Sequence, residues 1–212
     1  MTRAFVFPGQ GSQAVGMGQD LLATFPVARE TLEEIDDALG RSLSKIIASG
    51  PPEELTLTEN AQPALMAVSM AVLRVLEGEG GIDLSGSCAF VAGHSLGEYS
   101  ALAAARSIGL ADAARLLNTR GQAMQKAVPV GEGGMAALLG AEMDIAQEIA
   151  DEAAQGEVCS TANDNAPGQI VLSGAMSAID RAIEIAGEKG IRRCIKLPVS
   201  APFHCAMMAP AA

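Results

Sequence analysis

Aromatic residues and positive charges are both scarce in this chain. Its 212 residues include five phenylalanines, one tyrosine and no tryptophan, so stacking on nucleobases or sugar rings is not expected and the core must be aliphatic. Lys and Arg number 14 against 25 Asp and Glu, a formal net charge of −11, which excludes a whole-surface attraction to nucleic acid or anionic lipid. Hydrophobic residues make up 49% and charged residues 18%, the composition of a globular protein with one sizeable domain or two small ones.

Long apolar runs are also missing. The longest candidate, residues 61–76, is interrupted by Gln62, Pro63 and Arg74. It falls short of the roughly 18 to 20 apolar residues that cross a bilayer, so it predicts a buried helix. The apolar run at residues 4–7 is too short for a signal peptide. We therefore predict a cytoplasmic protein with no membrane partner, and we expect it to be a monomer.

Cysteine and histidine are too few and too scattered for a metal centre. The four cysteines form no C-x-x-C pair, and only two histidines are present to join them. This usage predicts reduced thiols and no metal site. We also expect no bound cofactor.

Short apolar runs that alternate with helical stretches predict an α/β fold. Residues 4–7 and 87–92 have the pattern of buried strands, and a glycine-containing loop follows each of them. Helices are predicted through most of residues 17–79 and over residues 96–105 and 111–127. The expected architecture is a hydrolase-like large subdomain with a parallel sheet.

The hydrophobic period changes after Pro129. Strand and helix patterns then follow in the order β-α-β-β-α-β, at residues 135–139, 142–154, 157–161, 169–173, 176–188 and 191–197. This is the order of a ferredoxin-like unit. We therefore predict a large subdomain over residues 1–128, an inserted small subdomain over 129–197, and a return segment to the large subdomain over 198–212.

A G-x-S-x-G motif lies between a predicted strand and a predicted helix. Gly93, Ser95 and Gly97 occupy its fixed positions. A nucleophile elbow needs a strained turn at the serine and glycines that let strand and helix approach closely. Ser95 is therefore the candidate nucleophile, and the alternative is a helix-capping serine at a glycine-rich turn.

A serine nucleophile needs a base, and histidine is the usual one. His94 adjoins Ser95 in the tight turn, so its side chain is expected to project away from the hydroxyl. His204 is remote in sequence and is the candidate general base. The alternative for His204 is a surface or helix-capping histidine.

Arg120 lies on the apolar stripe of the helix predicted at residues 111–127, together with Ala113, Leu116, Leu117 and Met124. A guanidinium placed there is costly unless an anion satisfies it. Three partners remain open: a substrate carboxylate, a buried Asp or Glu, or water reached by snorkelling.

The loop GQGSQ after the first strand lacks the Lys-Ser/Thr of a P-loop and does not match G-x-G-x-x-G, which disfavours nucleotide binding. Glycines on both sides of Gln10 would let its backbone N–H approach a reacting carbonyl. The N–H groups of Gln10 and Leu96, the residue after the candidate nucleophile, are the predicted oxyanion hole.

Five separated segments carry a family resemblance. They are FPGQGSQ at 7–13, GHSLGEYSAL at 93–102, Arg120-Gly121 with Met124-Gln125, NDNAPGQIVLSG at 163–174 and LPVSAPFHCAMMAPAA at 197–212. Together they closely resemble the malonyl-CoA:acyl carrier protein transacylases of type II fatty acid synthesis, over essentially the whole chain. Members of that family continue well beyond the last residue here, so we expect this chain to lack a C-terminal part that completes the large subdomain.

The resemblance implies a ping-pong transfer of malonyl from malonyl-CoA to the phosphopantetheine thiol of acyl carrier protein. It gives Ser95 the role of nucleophile, His204 that of general base, and Arg120 that of ligand for the malonyl carboxylate. Phe203, directly before His204, resembles malonyl-selecting members and is a candidate pocket residue.

Carrier proteins of this family are acidic, so an acidic enzyme needs a local basic patch to bind them. Lys189, Arg192, Arg193 and Lys196 cluster in sequence at the end of the predicted small subdomain, with Lys126 as an addition. We define these five residues as the candidate docking patch. The alternative is a solvated charged edge that protects the last strand.

Two other functions remain open. A serine hydrolase or thioesterase shares the G-x-S-x-G elbow, and Asp144, Asp164 or Asp180 would then supply the acid of a triad. Arg120 and the GQGSQ loop have no natural role in such an enzyme. A non-catalytic carrier-binding fragment is the third hypothesis.

Overall fold

Two separate sheets organise residues 3–212, the part of the chain that the computed structural model describes. A two-stranded sheet lies in the first of two units, which ends at Gly121, and a four-stranded sheet lies in the second, which begins at Gln122. The fold is therefore α/β, with one parallel and one antiparallel sheet. None of the helices described is long and apolar enough to cross a membrane.

The first unit is mostly helical, as predicted for residues 17–79. Its elements are β1 (Ala4–Phe7), α1 (Gln19–Thr24), α2 (Pro26–Leu39), α3 (Leu43–Ser49), α4 (Pro52–Thr56), α5 (Thr58–Gly78), α6 (Leu84–Ser87), β2 (Phe90–Gly93), α7 (Gly97–Ala104) and most of α8 (Leu110–Ala127). Its core is mainly aliphatic and includes Leu32, Ile35, Leu43, Ile47, Leu55, Met66 and Leu117.

Strand β2 is shorter than predicted and starts later. Residues 84–87 form α6, because the Asp83 carboxylate accepts hydrogen bonds from the N–H groups of Ser85 and Gly86 and caps a short helix there. The prediction of strand from residue 87 was therefore wrong for its first residues. An Asx cap competes with extended structure through local hydrogen bonds that hydrophobicity does not register.

The parallel pair β1–β2 is buried on one face only, so the prediction of two buried strands was half wrong. Phe5 and Phe7 pair with Val91 and Gly93, and this face packs on the core, with Phe7 buried. Side chains alternate between faces along a strand. The opposite face is open, and Val6 is 75% and Phe90 66% exposed.

Helix α5 contains a proline whose effect is compensated by an arginine from elsewhere in the unit. Pro63 has no N–H to donate to the carbonyl of Glu59, four residues earlier. The Nη2 of Arg41 donates to that carbonyl at 3.2 Å, and it also reaches Asn118 Oδ1 on α8 at 3.0 Å. Arg41 Nη1 donates to Asn60 Oδ1 at 2.6 Å. Arg41 thus ties the start of α5 to α8.

The buried stripe of α8 is narrower than predicted. Ala113 and Leu117 are fully buried, and Met124 is buried, but Leu116 is 48% exposed. Its placement on the core stripe was therefore wrong. Residues 113, 117, 120 and 124 follow a spacing of three and four along one face of a helix, and position 116 lies at the edge of that face.

The second unit alternates strands and helices in the predicted order. Its elements are β3 (Gly133–Leu139), α9 (Met143–Ala154), β4 (Cys159–Ala166), β5 (Gln169–Ala175), α10 (Met176–Glu188), β6 (Arg193–Lys196) and a final 3₁₀ helix (Ala206–Ala211). The sheet is antiparallel with the order β4-β5-β3-β6. Its helix-facing core is aliphatic and includes Leu138, Ile149, Ile170, Leu172 and Ile179.

Candidate active site

Ser95 occupies a strained turn between β2 and α7. Its φ is +54°, in the left-handed region that residues with a Cβ rarely adopt. A Cβ on Gly93 would collide with the backbone of Gly97, and a Cβ on Gly97 would collide with the carbonyl of Phe7. Both glycines of the motif therefore permit a close approach of strand and helix, the backbone arrangement that the G-x-S-x-G pattern predicts.

Arg120 reaches the turn from α8. Its Nη2 donates to the Ser95 Oγ at 3.2 Å, and its Nη1 donates to Oε1 of Gln62 on α5 at 2.6 Å. The guanidinium carbon also lies 6.0 Å from the centre of the Tyr99 ring, at the outer limit of a cation–π contact. The nucleophile predicted from the motif and the cation predicted from the apolar stripe are thus brought together.

The charge on Arg120 is not cancelled by an ion pair. Burial lowers the pKa of its guanidinium, while Tyr99 and Glu98 oppose that effect, and an arginine stays protonated at any physiological pH. Within residues 3–212 it forms no salt bridge with a carboxylate; its side-chain acceptors are the neutral groups of Gln62 and Ser95. The sequence alternative of a buried Arg–Asp or Arg–Glu pair is therefore not found in this part of the chain.

The loop after β1 lies against the same turn. A Cβ on Gly9 would collide with Nδ1 of His94, so this glycine lets the loop and the turn touch. The Gln10 side chain points to α5, where its Nε2 lies 3.5 Å from the Thr58 hydroxyl. Within residues 3–212, the backbone N–H groups of Gln10 and Leu96 donate to no backbone carbonyl outside the regular hydrogen bonds of helices and strands.

His204 and Phe203 lie in the second unit. His204 is exposed and has a φ of +59°, a second left-handed residue among those picked out from sequence. Phe203 is buried in a cluster with Met124, Met135, Val171 and Ala201. Strained backbone at a non-glycine residue costs free energy and is found often at functional sites.

The candidate docking patch divides into paired and unpaired cations. Lys196 Nζ lies 2.6 Å from Asp180, and Lys189 Nζ lies 3.3 Å from Glu152 and 3.7 Å from Glu148. Arg192, Arg193 and Lys126 are exposed, and none of them has an ion pair among residues 3–212. The free positive charge of the patch is therefore concentrated on these three residues.

Gln62 is a residue of the candidate site that the sequence patterns did not predict. In the sequence it stands out only as an interruption of an apolar run, yet its side chain is 1% exposed and accepts a hydrogen bond from Arg120. A polar residue in the middle of a buried helix face is the signal that could have found it, because a buried amide needs hydrogen-bond partners.

The three aspartates proposed for a hydrolase triad all lie in helices and strands of the second unit. Asp180 pairs with Lys196, Asp144 lies in the first turn of α9, and Asp164 pairs with Ile170 across β4 and β5.

Sequence comparisons with known proteins point to the same family. Residues 4–212 match the family described as acyl transferase domain. The malonyl CoA-acyl carrier protein transacylase of Escherichia coli (strain K12) is 48% identical over 209 residues, which cover 99% of this chain and 66% of that protein. The chain thus spans about two thirds of the length of the curated relatives it matches.

Solved structures agree. The acyl-carrier-protein S-malonyltransferase of Bartonella henselae superposes with a TM-score of 0.94 at 57% identity, over all of this chain and 67% of that one. A malonyl-transacylase solved in complex with a type II PKS acyl-carrier protein gives 0.93 at 44% identity, over 100% and 67%. The sequence match, the shared fold and the strand-turn-helix around Ser95 lead to one conclusion: this chain belongs to the acyl transferase domain family.

Proposed function

We propose that the protein carrying this chain transfers malonyl from malonyl-CoA to the phosphopantetheine thiol of an acyl carrier protein, in fatty acid biosynthesis. The single observation that carries the proposal is the contact between Arg120 Nη2 and the Ser95 Oγ. It places an uncancelled cation beside a serine in a strained, glycine-flanked turn. A malonyl group differs from an acetyl group by a carboxylate, and this cation suits that carboxylate.

In the first half-reaction, the Ser95 oxygen attacks the thioester carbonyl of malonyl-CoA and its proton passes to His204. The C–O bond forms, the C–S bond breaks, and the departing CoA sulfur takes the proton from His204. In the second half-reaction the carrier thiol gives its proton to His204 and its sulfur attacks the malonyl ester. The Ser95 oxygen leaves and takes that proton back, so the enzyme is regenerated.

The proposed oxyanion hole consists of the N–H groups of Gln10 and Leu96. Outside the regular hydrogen bonds of helices and strands, neither N–H group donates to a backbone acceptor within residues 3–212. This supports the role, because neither donor has to give up a backbone hydrogen bond before it binds a developing negative charge. The glycines at 9 and 97 support it further, since they bring the first loop and the start of α7 close to the turn at Ser95.

The malonyl carboxylate is the proposed ligand of Arg120. A planar guanidinium pairs with a carboxylate through parallel hydrogen bonds, worth about 1.5 to 3 kcal/mol when the partners are charged. That corresponds to a preference for malonyl over acetyl of about 10- to 150-fold. We also propose Phe203 as a residue of the pocket that holds the malonyl group.

We propose acyl carrier protein as the binding partner. The names of the relatives support this, as does the structure of a similar transacylase in complex with a carrier protein. We propose the docking patch as its binding surface, led by Arg192 and Arg193. We also propose that residues 129–197 are an inserted ferredoxin-like subdomain, which the sheet order β4-β5-β3-β6 and the two helices support, with 1–128 and 198–212 as parts of a hydrolase-like large subdomain.

The test is intact mass spectrometry of the chain after mixing with malonyl-CoA. The expected result is a malonyl adduct that is absent in Ser95→Ala and retained in Ser107→Ala, an exposed serine outside the site. Replacing His204 with Ala should slow adduct formation and its discharge to a carrier thiol.

Each failure has its own meaning. No adduct on the folded parent chain contradicts the proposed transfer. An adduct that releases free malonate faster than it acylates the carrier thiol would instead support a hydrolase. Carrier binding without any adduct would support a non-catalytic fragment.

A further inference from the structure

Gln62 is an almost fully buried amide beside the cation of the site. It is 1% exposed on α5, and its Oε1 accepts a hydrogen bond of 2.6 Å from Arg120 Nη1. The two residues are separated by 58 positions in the chain, so the contact depends on how α5 and α8 pack. A buried amide oxygen that faces a guanidinium sets the direction of the planar fork.

The packing that creates this contact is built into the backbone. A Cβ on Gly121 would lie 2.5 Å from the Glu59 Cα and 2.7 Å from the Thr58 carbonyl oxygen, so only glycine lets α8 come this close to the start of α5. Gly121 is the neighbour of Arg120, and Glu59 lies one turn before Gln62. The hydrogen bonds of Arg41 to Asn60 and Asn118 also link the start of α5 to α8.

The chemical nature of the acceptor matters as much as its position. An amide oxygen orients Nη1 without adding negative charge, so Arg120 keeps its full charge for a ligand. A carboxylate at position 62 would hold the guanidinium equally well, but it would cancel that charge and repel a second carboxylate. A neutral side chain with an acceptor is therefore what a carboxylate-binding arginine needs as its support.

We propose that Gln62 is a positioning residue that selects for acyl groups bearing a carboxylate, by fixing the Arg120 fork while leaving its charge uncompensated. This inference rests on the proposed function, because it names how the same site distinguishes malonyl from acetyl. It acts through Arg120 and needs no contact between Gln62 and the reacting carbonyl.

The test measures equilibrium binding of malonyl-CoA and acetyl-CoA to chains that also carry Ser95→Ala, so that no acyl transfer occurs. In Gln62→Glu the affinity for malonyl-CoA should fall about tenfold or more, because the new carboxylate would pair with Arg120 and compete with the malonyl carboxylate. In Gln62→Met, which keeps length and removes the acceptor, it should fall about 3- to 10-fold, the range for one lost hydrogen bond. Acetyl-CoA affinity should change less than about twofold in both, because acetyl presents no carboxylate.

Gln122→Glu is the matched control, because it makes the same charge change at an exposed position on α8 and should leave both affinities unchanged. Far-UV circular dichroism and the retained acetyl-CoA affinity report that each variant is folded. The Met variant carries the test if the buried glutamate of Gln62→Glu prevents folding.

The outcomes separate this inference from the proposed function. Parallel loss of both ligands, or no change for malonyl-CoA, overturns the role of Gln62 even when Ser95 is malonylated normally. Conversely, if the preference for malonyl-CoA depends on Gln62 but the chain with Ser95 intact forms no malonyl adduct, the transfer reaction is overturned and the positioning role is supported.

Discussion

The Ser95 hydroxyl accepts a hydrogen bond from Arg120 Nη2 at 3.2 Å, across 25 positions of the chain. One group is held by a strained turn and the other by a helix, so neither depends on a flexible loop for its position. A cation at this distance favours negative charge on the serine oxygen and on any carboxylate delivered beside it. In the proposed reaction, this contact would join the nucleophile to the group that binds the malonyl carboxylate.

Replacing Arg120 tests this link directly. Arg120→Ala should lower the rate of malonyl loading about 10- to 150-fold, the equivalent of a lost charged hydrogen-bond pair. The loading rate of Arg120→Lys should lie between those of the unchanged chain and Arg120→Ala, because lysine keeps the charge but lacks the planar guanidinium. Loading rates from malonyl-CoA and acetyl-CoA, followed by mass, give the ratio. An equal loss for both substrates would contradict a role in carboxylate recognition.

Gly121 should be intolerant of any side chain. In Gly121→Ala the new methyl group meets the backbone of Glu59 and Thr58, which should lower the free energy of unfolding by about 1 to 3 kcal/mol. The control is Gly78→Ala on α5, where a Cβ meets nothing within 4 Å; it should be neutral or stabilising by about 0.5 to 1 kcal/mol. Urea unfolding followed by circular dichroism compares the two. Equal midpoints would show that α5 and α8 can separate without cost.

Arg41 is expected to matter for stability more than its partial exposure suggests. Arg41→Met leaves the Glu59 carbonyl without the donor that compensates for Pro63, and removes the link to Asn118. The expected loss is about 1 to 3 kcal/mol of unfolding free energy. Arg106→Met removes an exposed ion pair with Glu77 and should change stability by less than about 0.5 kcal/mol. Thermal and urea unfolding of both variants measure the difference, and a similar effect in both would refute the compensating role.

The docking patch makes an electrostatic prediction. Reversing Arg192 and Arg193 to Glu should raise KM for the carrier protein several-fold, with a larger effect at low salt, and leave malonyl loading of Ser95 unchanged. Arg3 and Lys45 are exposed cations outside the patch, and their reversal makes the same change in net charge. Steady-state kinetics with carrier protein as the varied substrate compares the two pairs. Equal effects would mean that only net charge matters.

Cys159 should be a slow thiol in the folded chain. Burial raises its pKa from an ordinary value of 9.0 to about 11, against a smaller lowering by Arg181. The thiolate is the reactive form, and at pH 8 it would be about a thousandth of the population. Alkylation of Cys159, followed by peptide mapping, should therefore be slow at pH 8 and accelerate as pH rises. The chain unfolded in urea is the control, and rapid labelling of the folded chain at pH 8 would contradict the burial effect.

Much of the second unit followed from local patterns. The periods of two and 3.6 residues in its apolar positions predicted each strand and helix in order, and α10 has the bounds predicted, 176–188. The turn at Ser95 was likewise predictable, because glycine at 93 and 97 reports a local need for backbone space. Local sequence determines such features because hydrogen bonds and steric limits within a few residues decide them.

Tertiary structure decided the rest. The sequence placed Arg120 on a buried stripe, but it did not show which side chain supports the guanidinium there. That side chain is Gln62, 58 positions away on another helix. The exposure of one face of β1 and β2, which carries Val6 and Phe90, was likewise not predictable from the sequence. Apolar patterns show that a side chain prefers burial, whereas its actual neighbours depend on which elements of the chain pack against it.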